Sequence, residues 1–506
     1  MKIEYICHSA LLIETKDVKI LTDPWLTGPA YCNQWHLFPK PVNIASASEA
    51  DVILISHGHE DHLHHESLLT LNKETRVYYP FQWQKGVKEY LGSIGYSDVV
   101  EAISDKSYRL SASTKVTFIA NSLDSIMVVE SEDEVLVNIN DALPANHRSI
   151  IVEFVKKLKK RWPKVNYLFC GYGSAAYFPN TVHCEGKNDL EVAEAREQMF
   201  GDNFCYIVNE LNPGNTIPFA ADYVLLNNEK RWINKVKYSK DKIKNYYDNV
   251  YKGKATNFIT AHSGDVIENN KFSQNSKFHA LEKRYSLDEL IDDQMKAEIR
   301  SVNEVVYISE SEIVLLEKSI HANIARRSGL FSTERLSKIK YTIKVTDISE
   351  DNCFFVDCSN NQIQIKRTGG INAKAILVLE TTSKILNYSI NSVWGGDAIV
   401  IGYGVEIDIL DKSIIESSLD IVCVRLLTNQ PVASRQMIAS PFRALRYLIS
   451  NPLTTSWAIK QTIDGRNKVN KNPVNERSLW LRKTKCEICQ VCDIPMLSSD
   501  FGETLK

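Results

Sequence analysis

The chain lacks several features that would place it in a class at once. Its 60 basic and 62 acidic side chains leave a formal net charge of −2, which argues against a dedicated nucleic-acid-binding protein. No run approaches about 18 consecutive apolar residues, so no membrane-spanning helix is expected. The N-terminus enters a predicted strand without a basic-then-apolar signal segment. Because the 11 cysteines are an odd number and no secretion signal precedes them, reduced thiols in the cytoplasm are expected.

The length of 506 residues indicates two or three domains. The first half alternates short apolar strands with helical segments, which is typical of an α/β sandwich. Residues 398–409 are read as one long apolar strand of a later α+β region. The predicted divisions are a first domain over 1–265, a helical extension or linker over 266–335, a smaller domain over 336–470 and a tail over 471–506.

One string of residues carries most of the chemical information. Residues 56–65 read Ser-His-Gly-His-Glu-Asp-His-Leu-His-His and follow an apolar run that predicts a buried strand. Alternate residues of an extended segment share a face, so His57 and His59 can reach one cation together. A helix beginning near Glu60 would put Asp61 and His62 on its first turn and point them toward an adjacent spot. Imidazoles and carboxylates at this density suit zinc, iron or manganese, with room for two metals.

The string is the signature of the metallo-β-lactamase superfamily, and further motifs of the chain resemble that superfamily in the expected order. Residues 1–14 are similar to its opening strands. Residues 21–29, with Asp-Pro-Trp-Leu-Thr-Gly-Pro, and residues 173–179 and 218–220 resemble the lactamase-like domain of CMP-N-acetylneuraminate hydroxylases and their bacterial relatives. The resemblance covers about residues 1–265. It implies an αββα sandwich, here followed by a smaller α+β domain and a cysteine-containing tail.

The resemblance also implies a set of metal ligands. One metal would take His57 and His59 with a third histidine. The other would take Asp61 and His62 with a last histidine, and Asp141, which follows a strand-like Val-Leu-Val-Asn-Ile-Asn run, would serve both metals. Asp61 and Asp141 are therefore the candidate catalytic groups. The competing interpretation of Asp141 is a turn-capping aspartate.

Two histidines of the implied set are missing. Residues 121–125 contain none, and Asp124 is the candidate for an oxygen ligand there. The last histidine falls on Asn227, whose neutral oxygen is a poor ligand for transition metals. His262 is an alternative source, although an ordinary hydrogen-bonded histidine is the favoured interpretation. An oxygen-rich set shifts the expected metal from zinc toward iron or manganese.

Other residues are predicted around the metals. Asp23 is expected to orient a ligand histidine by a hydrogen bond, with a turn-ordering role as its alternative. His8 is likewise either a supporting residue or a satisfied buried histidine, and His64 and His65 are not expected to bind metal. A substrate wall that suits a sugar or nucleotide is predicted from aromatic rings and hydroxyls at Trp25, Thr27, Tyr172, Ser174 and Tyr177.

The tail holds a Cys-x-x-Cys-x-x-Cys motif at Cys486, Cys489 and Cys492. Three thiolates at this spacing suit an iron–sulfur cluster or a structural zinc, with a fourth ligand from elsewhere. The alternative is three reduced cysteines in a tail. Mammalian hydroxylases of the subgroup carry a Rieske module, and no Cys-x-His…Cys-x-x-His pair occurs in this sequence. A cluster at these cysteines would therefore be a substitute electron donor.

Three functions follow from these observations. The first is a cytoplasmic metalloenzyme that is oxygenase-like or hydroxylase-like on a polar small molecule and draws on an electron-transfer partner. The second is a metal-dependent hydrolase of an ester, lactone, amide or phosphodiester. The third is a non-catalytic binding protein that retains the fold. The strand and helix order after about residue 336 is also similar to the sterol-carrier fold, a weak likeness that depends on the Trp-Gly-Gly-Asp turn at 394–397.

Overall fold

The structure of the chain is a computed structural model. It describes residues 1–82, 85–146, 148–173, 175, 181–184, 189–251, 256–359, 363–417, 419–429, 437–457 and 459–460. No helix in these ranges is both long and apolar enough to cross a membrane. The predicted cysteine site at 486–492 lies outside the described residues.

Strands dominate the first half of the chain and return near its end. Their bounds in chain order are β1 Lys2–Cys7, β2 Ala10–Glu14, β3 Lys19–Thr22, β4 Trp35–Leu37, β5 Val52–Leu54, β6 Arg76–Pro80, β7 Val99–Ala102, β8 Ser107–Arg109, β9 Thr114–Asn121, β10 Asp124–Ser131, β11 Glu134–Asn140, β12 Tyr167–Gly171, β13 Val182–Cys184, β14 Asn215–Phe219, β15 Tyr223–Leu225, β16 Asn257–Phe258, β17 Val266–Glu268, β18 Lys271–Ser273, β19 Lys340–Val345, β20 Cys353–Asp357, β21 Gln364–Thr368, β22 Leu377–Thr381 and β23 Glu406–Ile409.

The α-helices lie mostly outside the sheets, and one 3₁₀ turn spans Ile44–Glu49. Their bounds are α1 His65–Thr70, α2 Val87–Ser93, α3 Arg148–Arg161, α4 Asp189–Leu211, α5 Arg231–Val236, α6 Lys240–Val250, α7 Phe278–Leu281, α8 Leu287–Gln294, α9 Lys296–Asn303, α10 Glu310–Ser328, α11 Thr333–Leu336, α12 Ser383–Asn391, α13 Gly395–Val400, α14 Ile414–Ser417, α15 Leu419–Leu427 and α16 Pro441–Ser450. Ser309 and Glu312 begin α10 with a reciprocal capping box.

Two sheets form the first half of the molecule. Among the described residues, one sheet has the order β18-β17-β1-β2-β3-β5-β6-β7 and the other β16-β14-β12-β11-β10-β9-β8. Buried side chains from both sheets, such as Ile13, Phe118 and Phe169, form one apolar cluster between them. Residues of α3, α4 and α6 cover the outer face of the second sheet. This arrangement is the predicted sandwich, and it places the ends of β5 and β11 at one edge.

The strand before the histidine string is central to the first sheet. β5 pairs in parallel with β3 and with β6, and Val52, Ile53 and Leu54 are all buried. A parallel strand that is covered on both faces needs a continuous apolar sequence. The run at 51–55 is apolar for this reason, and the string that follows emerges where the strand ends.

A third sheet forms in the second half of the chain. Its order among the described residues is β13-β23-β22-β19-β20-β21, and its core includes apolar side chains of α4, α10 and α15. β13 comes from residues before 265, whereas β17 and β18, which follow residue 265, belong to the first sheet. The predicted domain boundaries and the likeness of the later domain to the sterol-carrier fold stay predictions.

The prediction of a single strand over residues 398–409 is wrong. The chain forms α13, reverses, and then forms the short strand β23. The reversal passes through Gly402 and Gly404, and an added Cβ at either position would lie 2.8 Å from the carbonyl oxygen of Ala398. Tyr403 between them adopts a left-handed φ of 61°. The apolar composition is the same for a helix end and a strand, so the glycines decide the conformation.

Candidate metal centre

The histidine string occupies a turn between β5 and α1. α1 begins at His65, and His64 is its N-cap, with a side chain that accepts the Ser67 N–H. The helix considered to begin near Glu60 therefore begins at His65, the last residue of the string. Asp61 and His62 lie instead in a turn in which the N–H of Leu63 donates to the carbonyl of His59 at 2.8 Å. The turn folds both side chains back toward the edge of the sheets.

The first candidate ligand group is His57, His59 and Asp124. Nε2 of His57 lies 2.8 Å from Nδ1 of His59 and 3.9 Å from a carboxylate oxygen of Asp124. Nδ1 of His57 is engaged by the Ser56 hydroxyl at 2.9 Å. Asp124 begins β10 and is brought to the histidines by the β9–β10 hairpin. Two imidazole nitrogens and one carboxylate thus lie close together, and the role of Asp124 as an oxygen ligand stays a prediction.

The second candidate ligand group surrounds His62. Its Nε2 lies 3.3 Å from a carboxylate oxygen of Asp61 and 3.5 Å from one of Asp141. Nε2 of His8 lies 3.2 Å from the same Asp61 oxygen. His57, His62 and Asp141 form one compact triad, and His8, Asp61 and His62 form another. His8, predicted as a supporting residue, is therefore near enough to be a ligand itself.

A buried polar set holds these groups from behind. Asp23 accepts the Ser56 N–H at 2.7 Å and the side-chain amide of Asn140 at 2.5 Å. Its other contact is with His62, whose Nδ1 lies 3.3 Å from an Asp23 oxygen. Nδ1 of His62 has no hydrogen-bond partner among the described residues, so the hydrogen bond predicted for Asp23 stays a prediction, although the two groups are adjacent and Nε2 of His62 faces Asp61 and Asp141. Tyr31 donates a short hydrogen bond of 2.5 Å to the other Asp61 oxygen.

Four residues at strand ends around the centre have left-handed backbone conformations. They are His8 (φ 45°), Asp23 (φ 36°), Asn140 (φ 56°) and Ala220 (φ 57°). Residues other than glycine adopt such values at a cost, and they are found where the surrounding structure enforces them. The clustering of these residues at one edge of the sandwich is typical of a functional site.

The electrostatic environment favours the metal-binding protonation state at His57 and Asp61 but not at His62, whose pKa the surrounding carboxylates raise well above its usual value against the effect of burial. Burial, reinforced by the neighbouring His62 and His59, holds the pKa of His57 well below its usual value, so its lone pair is available. Burial alone would raise the pKa of Asp61, but His62 and His8 outweigh it and lower that pKa well below its usual value. Burial raises the pKa of Asp124 to about 6. A metal must compete with protons for Asp124 below that pH.

The residues present fit a bound metal. Nε2 of His62 is fully buried and has no hydrogen-bond partner among the described residues, although carboxylate oxygens stand at 3.3 Å and 3.5 Å. A buried polar atom without a hydrogen-bond partner is rare in native protein structures. A divalent cation between this nitrogen and the two carboxylates would satisfy all three. The geometry suits one metal near His57 and His59 and another near His62.

The later part of the chain contacts the histidine turn, which the sequence did not predict. The Trp394 indole N–H donates to the Gly58 carbonyl at 2.9 Å, and the Tyr388 hydroxyl donates to Glu60 at 3.0 Å. Asp397 acts electrostatically on His59 and raises its pKa against the effect of burial. The sequence did show the Trp-Gly-Gly-Asp turn to which Trp394 and Asp397 belong. Nothing in the sequence linked that turn to residues 57–62.

The predicted substrate wall is only partly described, because Ser174 and Tyr177 lie outside the described residues. Trp25 is fully buried, and its ring packs 5.2 Å from that of His8. Thr27 is exposed. Tyr172 is buried and lines a cavity of about 440 Å³ beside β15 and α6. A binding role for this set stays a prediction.

Two residues considered for the missing histidine lie elsewhere. Asn227 accepts the Glu229 N–H and lines a cavity beside the third sheet. His262 pairs with Glu282 at 3.0 Å and groups with His279 rather than with the histidine turn. Neither belongs to the candidate ligand groups of the centre.

Comparison with known proteins places the histidine turn inside a recognised domain. Residues 2–170 match the family model of a β-lactamase superfamily domain. Over 247 residues, 46% of each chain, the sequence is 29% identical to a Mycobacterium tuberculosis protein named for a Rieske 2Fe-2S cluster. Over 72 residues, 14% of this chain and 12% of the other, it is 39% identical to the cytidine monophosphate-N-acetylneuraminic acid hydroxylase of Danio rerio. The chain spans about half the length of the mycobacterial relative.

Solved structures show weaker likeness. The diiron β-hydroxylase CmlA from Streptomyces venezuelae matches with a TM-score of 0.36 and 17% identity over 54% of each chain. An isothiocyanate hydrolase from Delia radicum gut bacteria matches with a TM-score of 0.37 and 12% identity, over 54% of this chain and 100% of the other. Neither likeness bears on the reaction.

The fold and the site together define a class. The chain contains a metallo-β-lactamase superfamily domain with His/Asp groups of the kind that hold metals. Within that superfamily it is similar to the lactamase-like regions of CMP-N-acetylneuraminate hydroxylases and of mycobacterial relatives named for a Rieske cluster. The resemblance read from the sequence is thereby confirmed.

Proposed function

We propose that the protein is an iron-dependent oxygenase or hydroxylase that acts on a polar, sugar-like or nucleotide-like small molecule. The observation that supports this most is the oxygen-rich character of the site. Three carboxylates, from Asp61, Asp124 and Asp141, face the ring nitrogens of the histidine turn. A mixed carboxylate and imidazole set of this kind suits iron or manganese better than a histidine-only set would. The similarity to the hydroxylase of Danio rerio supports the same reaction class.

The two candidate catalytic carboxylates differ in their surroundings. Both oxygens of Asp61 are engaged, one by Tyr31 and one by His8, and its side chain is 5% exposed. The Asp141 side chain is 36% exposed and follows the end of β11. We therefore assign a supporting role to Asp61, which links Tyr31 and His8 beside His62. Asp141 is placed to accept a proton from, or orient, a molecule that enters from solvent.

Protein side chains do not activate dioxygen. A bound redox-active metal would supply that chemistry. Hydroxylation inserts one oxygen atom into a C–H bond, and the other leaves as water once two electrons and two protons are delivered. The electrons require a donor protein or cluster. Cys486, Cys489 and Cys492 remain the candidate for an internal donor on the basis of sequence alone.

A hydrolase is the second candidate. The exposed position of Asp141 beside His62 also suits the orientation of a water molecule toward an ester, lactone, amide or phosphodiester. A non-catalytic binding protein is the third, and the buried, unpartnered His62 nitrogen argues against it.

The test begins with protein purified under anaerobic conditions and loaded with Fe²⁺. It is mixed with CMP-N-acetylneuraminate, a reduced ferredoxin-type donor and dioxygen, and the products are analysed by mass spectrometry. The proposal predicts a product with one added oxygen atom. The amount of this product should fall at least tenfold in Asp141→Asn. It should be unchanged in Asp133→Asn, an exposed control on the β10–β11 turn.

The alternatives predict different results. Zinc-loaded protein that cleaves ester or phosphodiester probes, with the same dependence on Asp141, would replace the oxygenase by the hydrolase. Iron-loaded protein that consumes no dioxygen and cleaves none of these probes would contradict both enzymes and favour the binding protein.

A further inference from the structure

A second cluster of metal-binding side chains lies apart from the histidine turn. His262 is in the loop between β16 and β17, and His279 and Glu282 come from α7 and the residue that follows it. Ring nitrogens of both histidines and a Glu282 carboxylate oxygen lie within 4.8 Å of one another. None of the three belongs to the candidate ligand groups of the metal centre.

A buried aspartate fixes one of the histidines. Asp265 has no exposed surface, and one of its oxygens lies 2.6 Å from Nε2 of His279. The same carboxylate accepts the backbone N–H groups of His262 and Ser276, each at 2.8 Å. Because a carboxylate accepts hydrogen bonds, the ring nitrogen of His279 that faces Asp265, Nε2, carries the hydrogen. Nδ1 of His279 therefore directs its lone pair away from Asp265.

That lone pair faces another acceptor. Nδ1 of His279 lies 3.5 Å from an oxygen of Glu282, and Nε2 of His262 lies 3.0 Å from the same oxygen. Carboxylate oxygens only accept, and His262 can donate its Nε2 hydrogen to Glu282 as a neutral imidazole. Nδ1 of His279, with its lone pair outward, faces the same acceptor without a hydrogen between them, and one cation among the three atoms would satisfy this contact. The aspartate behind His279 is the arrangement that commonly orients a metal-bound histidine.

The spacing fits a tetrahedral ion. Bonds of about 2.0–2.1 Å to nitrogen and oxygen place neighbouring ligand atoms of a tetrahedron about 3.3 Å apart. The contacts of Glu282 with the two histidines, at 3.0 Å and 3.5 Å, lie on either side of that value. Small side-chain movements would suffice to bind the ion.

The charges nearby permit a cation. Lys240 is a buried amine that acts electrostatically on Glu282, and it is paired with Asp222 at 2.9 Å and donates to the Ala261 carbonyl at 2.6 Å. Its charge is therefore already offset. His262 and Glu282 line the cavity of about 440 Å³ beside β15 and α6, which gives a fourth position to water and a route for entry.

We propose that His262, His279 and Glu282 bind one zinc-like divalent cation, oriented by Asp265, at a site separate from the metal centre of the proposed enzyme. Three protein ligands and a water complete its coordination. The ion fastens the loop after β16 to α7 at the edge of the first sheet. The inference does not depend on the reaction that the protein catalyses.

The experiment measures zinc per chain by equilibrium dialysis and elemental analysis, starting from chelator-treated full-length protein. Glu282→Gln keeps the size of the side chain and removes its charge, and His279→Ala removes a ligand. Each variant is expected to lose one equivalent of zinc relative to the wild type, with an unchanged far-ultraviolet circular dichroism spectrum. His321→Ala, an exposed histidine on α10, should bind as the wild type does.

A variant of the other site separates the two proposals. His57→Ala/His62→Ala removes a ligand from each candidate group of the histidine turn, and it is expected to lose metal there and to retain the equivalent held by His279. Cobalt bound to this double variant should show the intense visible bands of tetrahedral coordination, and these bands should disappear when Glu282→Gln is added. Wild-type zinc content in folded Glu282→Gln would overturn the inference and leave the cluster as hydrogen-bonded histidine–carboxylate pairs.

Discussion

Replacement of Glu60 by glutamine is expected to make the stability of the protein less sensitive to pH. Glu60 is 8% exposed, and its two oxygens accept the Tyr31 N–H at 2.6 Å and the Tyr388 hydroxyl at 3.0 Å. A glutamine can keep both contacts if its oxygen faces Tyr31 and its amide donates to the Tyr388 oxygen. The substitution then removes a buried charge and little else.

The magnitude follows from the shifted pKa. Burial, opposed only in part by these two hydrogen bonds, raises the pKa of Glu60 from 4.5 to about 7. At about 1.36 kcal/mol per pH unit, the difference corresponds to about 3 kcal/mol. Because the folded-state pKa is raised, the contribution of Glu60 is most favourable below pH 4.5 and is lost as the pH rises through about 7. Glu60→Gln should therefore gain up to about 3 kcal/mol relative to the wild type between pH 4.5 and pH 8.

The assay is urea denaturation of chelator-treated wild type and Glu60→Gln at both pH values. The comparison of two proteins at two pH values cancels the titration of every other group. Glu74→Gln, at an exposed position after α1, is the matched control and should show no pH-dependent difference. A Glu60→Gln difference that does not change with pH, or that favours the wild type at pH 8, would refute the reasoning.

Three further predictions follow from other contacts. Lys240→Met leaves Asp222 buried without its partner and should cost about 3–5 kcal/mol in urea denaturation, whereas Lys16→Met, at an exposed position, should cost nothing measurable. Trp394→Phe removes the hydrogen bond to Gly58 and should lower the free energy of unfolding by about 1 kcal/mol. It should also weaken metal affinity, measured by competition with a chelator. Unchanged values of both quantities would contradict the role of this contact. Metal at about 100 times its dissociation constant should add about 2.7 kcal/mol to the free energy of unfolding, a gain that should be markedly smaller in His57→Ala.

The sequence was informative where one local element determines the position of a side chain. The histidine string follows a central parallel strand, whose continuous apolar run is required by burial on both faces. Asp141 comes directly after β11, as the strand-like run before it indicated, whereas Asp124, which begins β10, was proposed only from the resemblance. Asp23 follows β3 and His62 lies in the turn after β5, so the pairing of these two adjacent parallel strands brings the two side chains near each other.

The sequence was not informative where distant segments meet. Trp394 and Tyr388 reach the histidine turn across more than 300 residues, and such contacts leave no periodic signal. Two local predictions also failed. The helix after the string begins at His65, because His64 is held as its N-cap by Ser67. The apolar run at 398–409 is divided between a helix and a strand by glycines that pack against the Ala398 carbonyl.

The most direct test of the metal centre is anomalous X-ray diffraction at the iron, manganese and zinc absorption edges, on crystals of protein purified without chelator. The account predicts an anomalous peak about 2.0–2.2 Å from Nε2 of His62 and from a carboxylate oxygen of Asp141, and a second peak near His57, His59 and Asp124. Density for metal at neither position, in crystals grown with the metal in excess, would contradict the assignment of this site as a metal centre.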